Sequence, residues 1–198
     1  MVTHFVKKQK RGFTLIEMLV SVAIFATVMT IALGALLAMS ESDRKAQTLK
    51  SVINNLNFAL DDISRTMRTG MTYDCNASGG TTATAHDCAT AASAGTAVGF
   101  TSADNQNIRY CRGKYTGSSW SCDAAGAAIL VSKAGASYAP LTSSEVIINN
   151  LQFYVTGAES ATVQPHVVIL LSGSVQVSGS QTSSFDLETS VTQRLYDQ

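Results

Sequence analysis

The chain has 198 residues and a mass of 20.9 kDa, which suits one globular domain better than two. Charged residues make up 14% of the chain and hydrophobic residues 45%, which excludes a disordered polyelectrolyte and a charged coiled-coil fibre. Lys plus Arg and Asp plus Glu both number 14, so the chain lacks the overall basic excess typical of nucleic-acid-binding proteins.

The first twelve residues differ in charge from the rest of the chain. They contain no acid and four of the 14 cations, Lys7, Lys8, Lys10 and Arg11. The remaining 186 residues carry 10 cationic and 14 acidic side chains. This asymmetry predicts that the two ends of the chain lie in different environments.

A long apolar segment follows the cations. Between Phe13 and Ser40 the only ionisable side chain is Glu17, and these 28 residues exceed the roughly 20 needed to cross a bilayer as a helix. The positive-inside tendency predicts that residues 1–11 stay in the cytoplasm. We therefore expect a single-pass protein of the cytoplasmic (inner) membrane whose head is extracytoplasmic.

A secretory signal peptide is an alternative interpretation of this segment. An ordinary signal has an apolar core of about 7–15 residues and then a cleavage site between small residues, whereas this segment is longer. A carboxylate five residues into an apolar run is costly without a partner, so Glu17 indicates function. A positively anchored span with no further role is the other alternative, and it explains neither Gly12-Phe13 nor Glu17.

Residues 7–25, KKQKRGFTLIEMLVSVAIF, resemble the class III leader and first helix segment of type IV prepilins and type II secretion pseudopilins. The resemblance implies that a membrane-bound prepilin peptidase cleaves after Gly12 and methylates the new amino terminus at Phe13. It also implies that Glu17 pairs with the amino terminus of a neighbouring subunit during filament assembly. An intrachain pair of Glu17 with the amine of Phe13, four residues away on the helix, is the competing interpretation.

An apolar helical period continues beyond Ser40. Apolar residues recur at spacings of three and four, which predicts an amphipathic helix whose stripe packs beneath a sheet: Leu49, Val52, Ile53, Leu56, Leu60, Ile63 and Met67. We expect the helix to run for about 57 residues from Phe13 to a left-handed cap at Gly70. The segment Val52–Gly70 also resembles the corresponding helix of minor pilins and J-type pseudopilins.

Four cysteines lie beyond the apolar segment, at Cys75, Cys88, Cys111 and Cys122. In an extracytoplasmic compartment they predict disulfides, and three pairings are open. We favour the local pairing, 75 with 88 and 111 with 122, in which each bond contributes about 3 kcal/mol through loop closure. A zinc site is the alternative, but no pair has the C-x₂₋₄-C spacing.

The strand candidates all follow the helix, which predicts an α+β fold with an antiparallel sheet. They are Ala97–Ser102, Asn107–Arg112, Ala128–Lys133, Val146–Ile148 with Leu151–Thr156, Val167–Ser172 and Ser184–Thr192. Residues 112–121 contain Gly-Ser-Ser and predict a hairpin tip. The segment Val167–Leu171 is apolar on both faces, so we expect a central strand or a face that awaits another subunit. The resemblance implies the pilin fold.

Catalytic, cofactor and metal motifs are absent from the sequence, so we predict no enzyme activity, no cofactor and no metal site. His86 and His166 have no motif around them. Paired acids at Asp61-Asp62 and at Asp186 with Glu188 are explained by solvated polar faces. Some relatives bind calcium, and the loops offer acids at Asp74, Asp87, Asp104 and Asp123, although their spacing is not diagnostic.

Aromatic and cationic residues cluster around the second pair of cysteines: Arg109, Tyr110, Arg112, Lys114, Tyr115 and Trp120. This composition could bind nucleic acid or a glycan. Cross-strand packing and solvated charges explain the residues more simply, so nucleic acid is the less favoured partner.

The resemblance implies a structural subunit of a periplasmic or extracellular filament, which is a major pilin, a minor pilin or a pseudopilin. Of these we favour a minor pilin or a pseudopilin. We expect a cleaved leader (residues 1–12), a transmembrane and assembly half of the helix (13–40), an amphipathic half (41–70) and a β head (71–198). The implied partners are other pilin or pseudopilin subunits, the prepilin peptidase, the inner-membrane assembly platform and membrane lipid. An adhesin or DNA-uptake subunit on the same scaffold is the alternative function.

Overall fold

A computed structural model describes residues 12–75, 84–160, 162–178 and 181–194. The chain divides into two compact units, Met1–Arg44 and Lys45–Gln198. Within the described residues the first element is helix α1 (Leu15–Arg68), and it is followed by the strands β1 (Met71–Asp74), β2 (Ala97–Thr101), β3 (Asn107–Thr116), β4 (Ser119–Cys122), β5 (Ala128–Lys133), β6 (Ala139–Pro140), β7 (Val146–Thr156), β8 (His166–Ser178) and β9 (Gln181–Thr192). The fold is therefore α+β, as the sequence predicts.

In the first unit, the described residues are all exposed, and from Leu15 onward they are helical. Leu15 is the first helical residue, and residues 12–14 before it are not helical. Every described side chain as far as Arg44 is exposed. In this part of α1 the large hydrophobic side chains therefore all face the surroundings.

The second unit contains two antiparallel sheets. The larger has the strand order β1-β2-β3-β5-β6, with β4 also paired to β3, and the smaller has the order β7-β8-β9. Strand β8 is central in its sheet, which confirms that interpretation of the apolar segment 167–171. Strand β7 is one strand with an irregularity between Ile148 and Asn150, where the sequence predicts two pieces.

The core of the second unit lies where the last part of α1 meets both sheets. The helix contributes four buried large side chains to this core, and strands of both sheets contribute the others. The four helix residues are Val52, Leu56, Ile63 and Met67. The predicted stripe is confirmed at these positions but is wrong at Ile53, whose side chain is 55% exposed. A helix repeat of 100° per residue turns Ile53 away from its buried neighbour Val52.

Gly70 does not have the predicted left-handed conformation. The first residue with positive φ after the helix is Thr72, at 54°. Gly70 is instead required for space, because a β-carbon there would overlap the ring of Phe100 and crowd the hydroxyl of Tyr73. The absent side chain thus lets the chain leave the helix directly against the aromatic core.

Three strands escape sequence prediction: β1, β4 and β6. They have four, four and two residues, which is too short for an alternating pattern to develop. The predicted hairpin tip is confirmed, because β3 and β4 pair antiparallel on either side of Gly117, which has a positive φ of 67°. This hairpin extends β3 from the predicted Arg112 to Thr116.

Candidate processing and assembly site

The bond predicted to be cleaved lies in the short segment before α1. Gly12 and Phe13 are both outside the helix, and no other part of the structure lies within 4 Å of where a β-carbon of Gly12 would be. The side chain of Phe13 is 79% exposed. A peptide bond in exposed, non-helical backbone is accessible to a protease. The rest of the predicted leader, residues 1–11, lies outside the described residues.

Thr14 caps the amino terminus of α1. Its hydroxyl oxygen accepts a hydrogen bond of 3.3 Å from the backbone nitrogen of Glu17, and its carbonyl accepts one of 3.3 Å from Met18. The first turn of a helix has unpaired N–H groups, and a threonine oxygen at this position satisfies one of them. This role of Thr14 is not among the sequence predictions, although Thr14 followed three residues later by Glu17 is the capping-box pattern.

Glu17 therefore lies in the first turn of α1, one turn from the predicted new amino terminus. A carboxylate there is favoured by the helix dipole. In the part of the chain that the structure describes, its side chain has no ion-pair partner. The carboxylate is thus available to an amine at the helix start, on its own chain or on another.

The helix surface around this site is apolar on all sides. The large hydrophobic residues from Leu15 to Met39 are between 46% and 78% exposed. Among the described residues, α1 is the helix that is long and apolar enough to cross a membrane. A surface of this kind is unstable in water and requires lipid or apolar partners.

The four cysteines form two disulfides in the second unit. Cys75 is bonded to Cys88 and Cys111 to Cys122, with Cα–Cα distances of 6.2 and 5.8 Å. This is the local pairing. The bond between Cys75 and Cys88 joins the end of β1 to a segment near β7, because the backbone nitrogen of Cys88 donates a hydrogen bond to the carbonyl of Val155. The bond between Cys111 and Cys122 joins β3 to β4. Residues 76–83 of the first loop lie outside the described residues.

The aromatic and cationic residues of β3 and β4 do not form one surface. Tyr110 is completely buried, and its hydroxyl lies 3.5 Å from a carboxylate oxygen of Asp62 on α1. Burial is the main reason that the pKa of Tyr110 is raised above its usual value. Tyr110 therefore belongs to the core and is not accessible to a nucleic acid or a glycan, which agrees with the favoured packing interpretation at this residue.

The cations of this cluster are engaged with the protein itself. Arg109 lies over the ring of Tyr138 at 6.0 Å, and Arg112 donates a hydrogen bond to the carbonyl of Asn149. Lys114 forms an ion pair of 2.7 Å with Asp123, and the hydrogen bond from Lys114 is the main reason that the pKa of the Asp123 carboxyl is lowered. Asp123 thus neutralises the charge of Lys114, whereas Arg109 and Arg112 contact uncharged groups and keep their positive charge.

The remaining candidate residues are dispersed over the structure. Asp87 caps a turn through hydrogen bonds from the nitrogens of Gly157 and Ala158, at 3.0 and 2.7 Å. His86 lies beside the first disulfide, and His166 begins β8. Within the described ranges, no group of three or more His, Cys, Asp or Glu side chains could hold a metal ion.

Sequence comparison identifies a similarity at the amino-terminal end of the chain. Residues 7–33 match the family described as the prokaryotic N-terminal methylation motif, which is the leader of type IV prepilin-like proteins. Comparison with curated proteins and with solved structures gives no significant match. The matched residues include Gly12, Phe13 and Glu17, and the motif supports a structural subunit of the pilin or pseudopilin type.

Proposed function

We propose that this protein is a minor pilin or pseudopilin that assembles into a type IV pilus or a type II secretion-like filament. The observation that carries the proposal is that the methylation motif coincides with an exposed bond, Gly12–Phe13, directly before an exposed apolar helix. The motif indicates a structural role rather than an enzymatic one, and it implies processing by a prepilin peptidase and assembly with other pilin subunits.

In this proposal the segments act in sequence. The leader, residues 1–12, stays in the cytoplasm until the peptidase cleaves after Gly12 and methylates Phe13. Residues 13–40 then hold the subunit in the inner membrane, and the assembly platform extracts it into a bundle of such helices. Residues 41–70 connect this part to the head, residues 71–198. The two disulfides support an extracytoplasmic head, since such bonds persist in oxidising compartments.

Glu17 sets the register of assembly in this mechanism. A carboxylate in the apolar bundle of helices is tolerated only beside an opposite charge. The methylated amine of Phe13 on a neighbouring subunit supplies that charge when the two helices are offset along the filament. An amine on the same chain competes for Glu17, since residues four apart on a helix are neighbours.

The mass of the amino-terminal peptide, from protein purified out of its native membrane, tests this function. We expect a peptide that begins at a Phe13 carrying one methyl group. Persistence of Met1, or of an intact Gly12–Phe13 bond in the mature population, would contradict the proposal, and the chain would then be a membrane-tethered domain.

A further inference from the structure

A groove of about 460 Å³ crosses the surface of the second unit. The β3–β4 hairpin and residues 142–147 both contribute to its lining. We call it the aromatic groove, and its lining residues are Gly113, Lys114, Tyr115, Trp120, Ala127, Ala128, Pro140, Thr142, Ser143, Ser144, Val146 and Ile147. Its volume lies within the range of about 300–1,000 Å³ that is usual for sites binding small molecules.

Two aromatic side chains of the hairpin line the aromatic groove. Tyr115 and Trp120 are directly opposite each other in the hairpin, and their ring centroids are 5.4 Å apart at an interplanar angle of 62°. Tyr115 is 57% exposed, and Ile147 in the groove lining is 43% exposed. Rings with an apolar body and a polar tip are typical of binding surfaces, because each can stack on a ligand and also hydrogen-bond to it.

Neutral hydrogen-bonding groups line the same space. The indole nitrogen of Trp120 and the hydroxyls of Tyr115, Ser143 and Ser144 have no hydrogen-bond partner among the described residues. Ser143 is held in place by the hydrogen bond that its backbone nitrogen donates to Oδ1 of Asn55, at 3.0 Å. The groove thus combines stacking surface with several unpaired neutral donors and acceptors.

The charge of the groove restricts its ligand. Lys114 is the charged residue in the lining, and Asp123 compensates it at 2.7 Å. Because the charged side chain of the lining is already paired, a phosphate group gains less from it than from an unpaired lysine, whereas an uncharged ligand can bind without breaking the pair. The paired charge favours a neutral ligand. The unpaired polar groups favour a ligand with many hydroxyls, and the aromatic rings favour one with apolar C–H faces.

We propose that the aromatic groove binds a neutral oligosaccharide of hexopyranose units. The C–H face of a sugar ring stacks on Tyr115 or Trp120. The sugar hydroxyls donate to or accept from the hydroxyls of Ser143 and Ser144, and they accept a hydrogen bond from the indole N–H of Trp120. This binding does not depend on leader cleavage or filament assembly, so it holds for the isolated chain as well as for an assembled one.

The single tryptophan of the chain makes the site directly observable, because Trp120 is the source of all indole fluorescence. The full-length protein, in a detergent without a sugar head group, is titrated with hexasaccharides of β-glucose, α-glucose, β-N-acetylglucosamine, α-mannose and β-galactose. We expect a saturable change in Trp120 emission with at least one of them. Tyr115→Ala should weaken that binding about tenfold or more, and the double change of Ser143 and Ser144 to Ala about three- to tenfold.

Phe58→Ala is the matched control, since Phe58 is an aromatic residue on α1 that is 70% exposed and lies outside the groove lining. It should bind like the wild type. Far-UV circular dichroism establishes that each variant is folded. No saturable change with any of the five sugars at 10 mM would overturn the proposal, as would equal binding by folded Tyr115→Ala. Saturable binding of decaproline or of single-stranded dT₁₀ in place of the sugars would also overturn it, and would identify a peptide or nucleic-acid groove.

Discussion

Tyr73 shows how one residue couples the end of the helix to the sheets. Its ring is buried and stacks on Phe100 with centroids 5.5 Å apart, and its hydroxyl donates a hydrogen bond to the carbonyl of Met67 in the last turn of α1. The nitrogen of Gly70 donates to the same carbonyl at 2.9 Å. Because that second bond remains, we expect Tyr73→Phe to cost only about 0.5–1.5 kcal/mol of unfolding free energy at neutral pH.

The buried tyrosines also predict the response of the head to alkali. Burial raises the pKa of both Tyr73 and Tyr110, whereas a tyrosine in the unfolded chain titrates near pH 10. Above pH 10 the unfolded state loses protons that the folded state keeps. The stability that is fully present below pH 10 is therefore lost as the pH rises further, by up to about 1.4 kcal/mol per pH unit for each tyrosine.

Urea unfolding between pH 8 and pH 11.5 measures this effect. The double change of Tyr73 and Tyr110 to Phe should flatten the alkaline decline, and Tyr115→Phe, at an exposed position, should leave it unchanged. An equally steep decline in the double variant would assign the alkaline sensitivity to other groups.

At the scale of elements, the disulfides hold segments whose own hydrogen bonding is sparse. Strand β4 has four residues and pairs with β3, and one isolated bridge joins its Trp120 to Tyr138. Strand β1 also has four residues and pairs with β2, and one isolated bridge joins its Asp74 to His86. Removing either bond enlarges the conformational freedom of the unfolded chain. We expect changing Cys75 and Cys88, or Cys111 and Cys122, to Ala in pairs to cost about 2–4 kcal/mol each.

Urea unfolding of the two paired variants, compared with the wild type under non-reducing conditions, gives these costs directly. The reduced wild type is the control, since it should lose at least as much stability as either variant. A loss below about 1 kcal/mol would contradict the prediction and show that strand pairing alone orders these segments.

The elements also show how far local patterns extend. The apolar period of α1 and the alternation in β9 are visible in the sequence because each spans many residues. From Thr182 to Thr192 in β9, exposed residues alternate with residues that are at least partly buried. Strands β1, β4 and β6 are defined by their partners, and their two to four residues carry no period. A glycine at the end of a helical period predicts a cap, which is wrong for Gly70. Its close contact with Phe100, thirty positions away, is not visible in the residues around it.

At the scale of the whole molecule, we expect a change at Glu17 to affect filament assembly but not membrane insertion. We expect Glu17→Gln to be cleaved at Gly12–Phe13 and to remain in the membrane, because an amide is at least as compatible with lipid as a carboxylate. Its incorporation into filaments should fall at least about tenfold, because the amine of the neighbouring subunit then loses its counter-charge.

Quantification of the protein in sheared filament and membrane fractions, together with the mass of its amino-terminal peptide, measures both steps. Asp43→Asn is the matched control, since Asp43 is an exposed acid beyond the apolar segment. If the Glu17→Gln variant enters filaments as the wild type does, Glu17 is not needed for assembly and the prediction is wrong. If the variant is not cleaved at Gly12–Phe13, Glu17 is needed for processing instead.

The sequence by itself determined the leader, the apolar helix and the α+β class, because each depends on charge, hydropathy or periodicity along contiguous residues. It also indicated the local disulfides through the compartment and short spacing of the cysteines. Only the tertiary structure decided that Tyr110 is a core residue, that Ile53 is exposed, and that Lys114 is neutralised by Asp123. The same holds for the aromatic groove, whose lining comes from residues 113–147. These features depend on which distant residues meet in space, and pairing across separate strands leaves no pattern in the linear order of side chains.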